Sequence, residues 1–143
     1  MSILHQHFDF LKTKSAIILM TFLSIIALAR ISVYFVENKF ATFIFKYNIV
    51  EFVHIHHFVY GIFFLALSGF LSTIFPHRIN KNFIAILYGI GLGLVVDEFG
   101  VWLKLDPTYH QEASLSAIFI VTIALFLSSF FEFRNTREKK VKG

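Results

Sequence analysis

The sequence has 143 residues, of which 57% are hydrophobic and 15% are charged, with 20 phenylalanines and a formal net charge of +4. Soluble domains carry about 25% charged residues, so this composition excludes an ordinary soluble domain and indicates an integral membrane protein. The absence of cysteine excludes disulfides and thiolate metal sites, and the basic excess does not indicate nucleic acid because it gathers at the ends of apolar segments.

Four apolar segments are spaced along the chain. A bilayer core about 30 Å thick needs about 20 apolar residues for each helical span. We therefore predict an all-α, polytopic membrane protein that forms a bundle of four transmembrane helices in a single domain. The predicted spans are residues 15–36, 53–75, 83–103 and 113–131, followed by a basic tail at residues 132–143.

The first span has an alternative interpretation as a secretory signal. A basic start leads through an apolar stretch to Ala27-Leu28-Ala29, which resembles a cleavage site. The apolar pattern continues to Val36, beyond the usual length of a signal's apolar region, and we predict an uncleaved span. Residues 37–52 mix charged with aromatic side chains, which predicts a short interfacial segment between the first two spans.

Proline and glycine mark the second and third spans. Pro76 closes the second span because proline cannot continue the helical hydrogen-bond ladder. Gly89 and Gly93 form a small-x-x-x-small pair in the third span, and such a pair lets another helix backbone approach closely in lipid.

The distribution of lysine and arginine predicts the orientation. With four spans, most of the 13 Lys and Arg residues, including those of the tail, lie on the same side as both termini. Cytoplasmic segments carry the excess of Lys and Arg. We therefore predict a multi-pass protein of the cell membrane with cytoplasmic N- and C-termini.

This topology brings ligand-type side chains from three parts of the sequence to one depth near the outer face. The second span begins there, with His54, His56 and His57. Asp97 lies about 24 Å above Lys81 at 1.5 Å per helical residue, and Glu98 shares its level. The loop before the fourth span adds His110 and Glu112 on the same side.

Helical phase predicts which faces turn towards other helices. In lipid, small and polar residues face neighbouring helices because no water satisfies their hydrogen bonds. One stripe of the second span contains Glu51, His54, His57, Gly61, Leu65, Ser68 and Ser72, and one face of the third contains Gly89, Gly93, Asp97 and Gly100. Two roles stay open for Arg30, which either snorkels to the surface or pairs with Asp97.

Imidazole nitrogens and carboxylate oxygens together suit zinc, iron or manganese. The predicted metal ligands are His54, His56, His57, Asp97 and Glu98, with Glu51, His110 and Glu112 as weaker candidates. Ionisable side chains within a membrane are costly, and this cost favours a functional site. The structural alternative is that the histidines are solvated at the interface while Asp97 serves only as a partner in an ion pair.

Two segments resemble those of small, uncharacterised integral membrane proteins of bacteria and archaea. They are His56-His57-x-x-Tyr60-Gly61 and Tyr88-Gly89-x-Gly91-Leu92-x-x-x-x-Asp97-Glu98-Phe99-Gly100-x-Trp102-Leu103. The resemblance covers the second and third spans, implies the four-span architecture and points to His56, His57, Asp97 and Glu98. It implies no particular activity.

Three functions are compatible with these residues. The first is a metal-dependent hydrolase acting on a lipid or envelope molecule, with Glu98 or Asp97 as the general base. The second is a transporter or channel component for metal ions or protons, which the absence of ionisable residues from the inner halves of spans two to four disfavours. The third is a non-catalytic scaffold. The expected partners are the lipid bilayer and the substrate, and a homo-oligomer stays open.

Overall fold

The computed structural model describes residues 10–37, 57–104 and 110–142. Within these ranges the fold is all-α and comprises four long helices and one short helix. They are α1 (Lys14–Glu37), α2 (His57–Ile74), α3 (Lys81–Asp97), α4 (Phe99–Lys104) and α5 (His110–Lys142). Each predicted apolar segment therefore contains a helix. Of the interfacial segment predicted at residues 37–52, Glu37 ends α1 and the remainder lies outside the described residues.

Two helices differ from the sequence prediction. The third predicted span, residues 83–103, contains two helices rather than one, because α3 ends at Asp97 and α4 begins at Phe99. The last helix is longer than the predicted span and continues through the basic tail to Lys142.

The start of α3 has a conventional cap. Asn80 adopts an extended conformation, with φ −61° and ψ 122°, and its side-chain oxygen accepts a hydrogen bond from the Asn82 amide at 2.8 Å. Asparagine at this position satisfies one of the orphan N–H groups of a helix start. The turn that begins at Pro76 therefore passes directly into α3.

Helix α3 is the centre of the bundle and packs against α1, α2 and α5. Gly89 and Gly93 face α1: a Cβ on Gly89 would lie 2.9 Å from the carbonyl oxygen of Ile18, and one on Gly93 would lie 3.2 Å from that of Phe22. These approaches confirm the predicted close packing of another helix on the glycine pair.

Gly91 faces α2, on the other side of α3. A Cβ on Gly91 would lie 2.8 Å from the Gly61 carbonyl oxygen, and a Cβ on Gly61 would lie 2.8 Å from the Gly91 carbonyl oxygen. Gly61 and Ser68 are buried, and the Leu65 amide is also 2.8 Å from the Gly91 Cβ position. This part of the predicted α2 stripe therefore turns towards another helix, as expected.

Glu132 joins α5 to the start of α1. One of its carboxylate oxygens accepts from the Lys14 amide at 3.0 Å, and the other accepts from the Ser15 amide at 2.9 Å and the Ser15 hydroxyl at 2.6 Å. A carboxylate at a helix N-terminus satisfies orphan N–H groups and complements the helix dipole. Glu132 therefore acts as a cap supplied by a different helix.

Large apolar side chains dominate the described surface. Phe119, Ile120 and Phe63 are each more than 60% exposed, whereas buried apolar side chains such as Phe22 and Leu19 are few. Soluble monomers rarely expose contiguous apolar surface on this scale. Among the described residues, three helices are long and apolar enough to cross a membrane, over Lys14–Ile31, His57–Ile74 and Glu112–Lys139.

Candidate functional site

Three hydrogen-bonded contacts join the helices at the end of the bundle where α2 and α5 begin. Arg30 of α1 pairs with Asp97 of α3, and Glu98 accepts from the Phe58 amide of α2. The third contact joins α4 to α5, because the Gly100 amide donates to the Ser114 hydroxyl oxygen at 3.0 Å. These contacts bring α1, α2 and α5 to the α3–α4 break, while the predicted convergence of the ligand-type side chains stays a prediction.

The break in the third apolar segment lies at Glu98. This residue has φ −99° and ψ 17°, and its own amide donates to the Val96 carbonyl oxygen rather than continuing the α-helical pattern. Asp97 and Glu98 consequently have different neighbours although they are adjacent in sequence. Asp97 reaches α1 and Glu98 reaches α2.

Arg30 and Asp97 form an ion pair in which Nε of Arg30 lies 2.7 Å from Oδ1 of Asp97. The Asp97 side chain is 9% exposed and the Arg30 side chain is 39% exposed. A buried carboxylate requires a charged or hydrogen-bonded partner, and the guanidinium supplies both. Of the two roles considered for Arg30, the structure supports that of counter-ion to Asp97.

Glu98 lies at the N-terminus of α2. Its Oε2 atom accepts from the Phe58 amide at 2.9 Å, within the first turn of that helix. Negative charge is favourable here because the first N–H groups of a helix lack intrahelical partners and the dipole is positive. Phe58 directly follows His57 in the sequence, so this bond brings the Glu98 carboxylate close to His57 along the chain. The His57 side chain is exposed.

Ser114 supplies the link between the start of α5 and the α3–α4 break. Its side chain is fully buried, and its oxygen accepts from an amide that lies two residues after Glu98. The start of α5 also carries His110 and Glu112, and the Glu112 side chain is exposed. The buried contact fixes the position of this helix start relative to the break.

The predicted metal ligands divide into described and undescribed residues. Asp97 and Glu98 are placed as above, and His57 is exposed at the start of α2. Glu51, His54 and His56 lie outside the described residues, as does the side chain of His110. Within the described part of the chain, no three His, Asp or Glu residues form a group that could hold a metal ion. The metal site stays a prediction because two of its three histidines are not described.

Two polar contacts were not foreseen from the sequence. The sequence analysis places Glu132 at the start of the basic tail and Ser114 near the start of the fourth span. The predicted topology contains a signal for both, since Glu132 falls at the level where α1 begins and Ser114 at the level of Gly100, near the end of the third segment. A glutamate or a serine alone does not indicate such a contact, because the prediction requires the membrane depths of both partners to be compared.

No protein-family model matches the chain, and no curated protein or solved structure shows a significant match to it. The resemblance to small prokaryotic membrane proteins therefore stays a prediction, and any function must be inferred from the residues themselves.

Proposed function

We propose that this chain is a four-span membrane protein with cytoplasmic termini that binds a divalent metal ion near the opposite face. Three helices have the length and composition of spans, and α3 with α4 would supply the fourth. The exposed apolar side chains of these helices support a lipid-facing surface. The basic residues at the ends of the segments support the orientation.

The observation that carries the metal proposal is the hydrogen bond from the Phe58 amide to Glu98. It holds a carboxylate beside the end of the histidine-rich stretch that contains His54, His56 and His57. Imidazole and carboxylate are ligands for zinc, iron and manganese. A carboxylate accepts several bonds at once, so the bond to Phe58 does not prevent Glu98 from binding a metal.

The ion pair with Arg30 favours Glu98 over Asp97 as the metal ligand and general base. A guanidinium already neutralises Asp97 at 2.7 Å, and it would also repel a second cation. Asp97 is then the fixed anchor of the site, and Glu98 the residue that exchanges protons. The same positive charge makes a cation-conducting path beside Asp97 unfavourable.

We propose hydrolysis of a lipid or envelope molecule as the reaction. A bound divalent ion would supply Lewis acidity, and Glu98 would accept the proton of the water that attacks an ester or phosphoester. Glu98 would then give this proton to the leaving oxygen, so that one water is consumed for each bond broken.

A scaffold function is the second candidate, and a specific observation favours it. Both carboxylates already join helices, Asp97 to α1 and Glu98 to α2. In this alternative the polar residues only hold the bundle together. The two candidates differ in what they predict for Glu98→Gln, which keeps an oxygen acceptor for the Phe58 amide but removes the negative charge.

Metal analysis of purified protein tests the proposal. Wild type should contain a stoichiometric divalent metal, and His56→Ala/His57→Ala should lose it, whereas His77→Ala, in the exposed turn after α2, should retain it. Glu98→Gln should remain folded yet lose metal and any release of fatty acid or phosphate from lipid extracts. Equal metal content in wild type and the double-histidine variant would refute the metal site. The scaffold function would then be the remaining candidate.

A reporter fused after Lys142 tests the topology separately. It should register a cytoplasmic position. An exported signal would refute the four-span orientation, and with it the placement of the histidines near the outer face.

A further inference from the structure

A groove of about 310 Å³ opens at the end of the bundle opposite the metal candidate. Its floor is α3, with Ala85 and Tyr88, and its walls are Ile18 of α1 and Gly69 and Ser72 of α2. Helices α1 and α2 both pack on α3, and the groove is the space between them. Its volume falls at the lower end of the range for ligand pockets.

The groove has an apolar body. Ile84, Ala85 and Ile18 contribute aliphatic surface, and the hydroxyl of the nearly fully buried Ser68 donates to the Leu65 carbonyl oxygen at 2.9 Å. This serine therefore presents no unsatisfied donor to an occupant. Such a wall suits a hydrocarbon chain better than a polar solute.

Two ammonium groups stand at one end of the groove. Lys14 and Lys81 are the first residues of α1 and α3, and both line it. The Lys14 ammonium donates to the side-chain oxygen of Asn82, so it lies beside the first turn of α3. None of the described residues that line the groove is acidic, and the nearby Glu132 is bound to backbone amides of α1.

An apolar channel with cations at one end matches the chemistry of an anionic phospholipid. From Lys81 to Tyr88 the groove extends about 10 Å along α3, which is roughly two-thirds of the depth of one leaflet. Basic side chains near the cytoplasmic surface attract anionic lipids. A free phosphate ion would use the lysines but would leave the apolar length of the groove empty.

We propose that this groove binds an anionic phospholipid of the cytoplasmic leaflet, with its phosphate at Lys14 and Lys81 and one acyl chain along Ala85 and Tyr88. The assignment rests on the proposed membrane location and orientation but not on the metal site. Loss of metal binding in the histidine variants would therefore leave it standing, and loss of lipid binding would leave the metal proposal standing.

Gly69 provides a way to block the groove without disturbing the fold. A Cβ on Gly69 would meet no heavy atom within 4 Å, whereas a Cβ on Gly61 or Gly91 would lie 2.8 Å from backbone atoms of the facing helix. Gly69→Phe therefore adds a large side chain to the groove wall in open space. Correct folding of this variant is checked by its elution as a single species and by its circular dichroism.

Native mass spectrometry of delipidated protein in detergent tests the proposal, with phosphatidylglycerol and phosphatidylcholine of identical chains as probes. Wild type should bind phosphatidylglycerol more tightly. Lys14→Gln/Lys81→Gln should remove this preference, weakening binding by about fivefold for each lysine. Gly69→Phe should weaken binding of both lipids, and Arg137→Gln/Lys139→Gln, which removes two charges from the tail, should resemble wild type.

Three results would overturn the assignment. Unchanged phosphatidylglycerol affinity in Lys14→Gln/Lys81→Gln would show that these lysines do not bind the headgroup. Competition by inorganic phosphate at equal strength to the lipid would identify a simple anion site. Conversion of a wild-type dimer to a monomer by Gly69→Phe would show that a second copy of the chain occupies the groove.

Discussion

Replacing Gly91 with alanine should force α2 and α3 apart. The new Cβ would lie 2.8 Å from the Gly61 carbonyl oxygen and the Leu65 amide, about 0.6 Å short of the 3.4 Å at which ordinary contact begins. Backbone atoms cannot rotate away as a flexible side chain can. Overpacking costs about 1–3 kcal/mol, while alanine is better than glycine in a helix by about 1 kcal/mol. We expect a net loss of about 0–2 kcal/mol in the free energy of unfolding.

Gly69→Ala is the matched control, because the same methyl group meets no heavy atom within 4 Å at that position of α2. Only the helix-propensity gain applies there, so this variant should be equal to wild type or more stable by up to about 1 kcal/mol. Both variants are compared by circular dichroism during titration of dodecyl maltoside micelles with sodium dodecyl sulfate.

The double variant Gly61→Ala/Gly91→Ala gives a sharper comparison. Each Cβ meets the carbonyl oxygen of the other glycine at 2.8 Å, so the separation that relieves one clash also relieves part of the other. The combined loss should therefore be smaller than the sum of the two single losses, as expected for residues in direct contact. A Gly91→Ala protein as stable as Gly69→Ala would refute the close approach of α2 and α3.

Three further sets of variants test the polar contacts in the same titration. Arg30→Gln should destabilise more than Asp97→Asn, because Asp97 is 9% exposed and would remain an unpaired buried carboxylate, whereas Arg30 is 39% exposed and reaches water; the reverse order would contradict this ion pair. Glu132→Ala should lower the free energy of unfolding by about 1–2 kcal/mol by removing the cap on α1, and an unchanged midpoint would show that the cap is dispensable. Ser114→Ala should cost about 1–3 kcal/mol because it leaves a buried amide unpaired, and an equally large loss in the exposed Ser116→Ala would point to a general effect of serine removal.

Much of the helix content could be predicted because apolar length alone sets where spans occur. The packing partners of α3 were predictable in part, since glycines four residues apart permit close helix approach. The sequence did not indicate that Gly89 and Gly93 serve α1 while Gly91, between them, serves α2. Which glycine contacts which helix depends on where α1 and α2 lie, because each glycine contacts only the helix on its own side of α3.

The break at Glu98 was missed for a physical reason. Neither proline nor asparagine immediately precedes it, and the apolar pattern resumes at Phe99 directly after the two acidic residues. The departure from helical geometry coincides with a contact to a different helix, the Phe58 amide. Local sequence patterns describe a helix by its own residues, so they do not detect a break that accompanies a tertiary hydrogen bond.

The two ends of the bundle use the same structural device. Glu132 binds amides at the start of α1, and Glu98 binds an amide at the start of α2. In an apolar surrounding, the orphan N–H groups of a helix start need partners that water does not provide. The two carboxylates therefore fix the positions of neighbouring helices, while the glycine contacts set their separation.

The bond to the start of α2 also prepares Glu98 for the second role proposed above. A carboxylate held by a helix start is already ordered, so a metal ion binding to it would lose less conformational entropy in the protein than one that must order a mobile side chain. Glu132 is ordered in the same way, but no histidine adjoins Lys14 and Ser15, whose amides it binds. Under the proposed metal site, Glu98 is the capping carboxylate whose charge has a second use. Glu98→Gln separates these roles because it preserves the hydrogen-bond acceptor and removes only the charge.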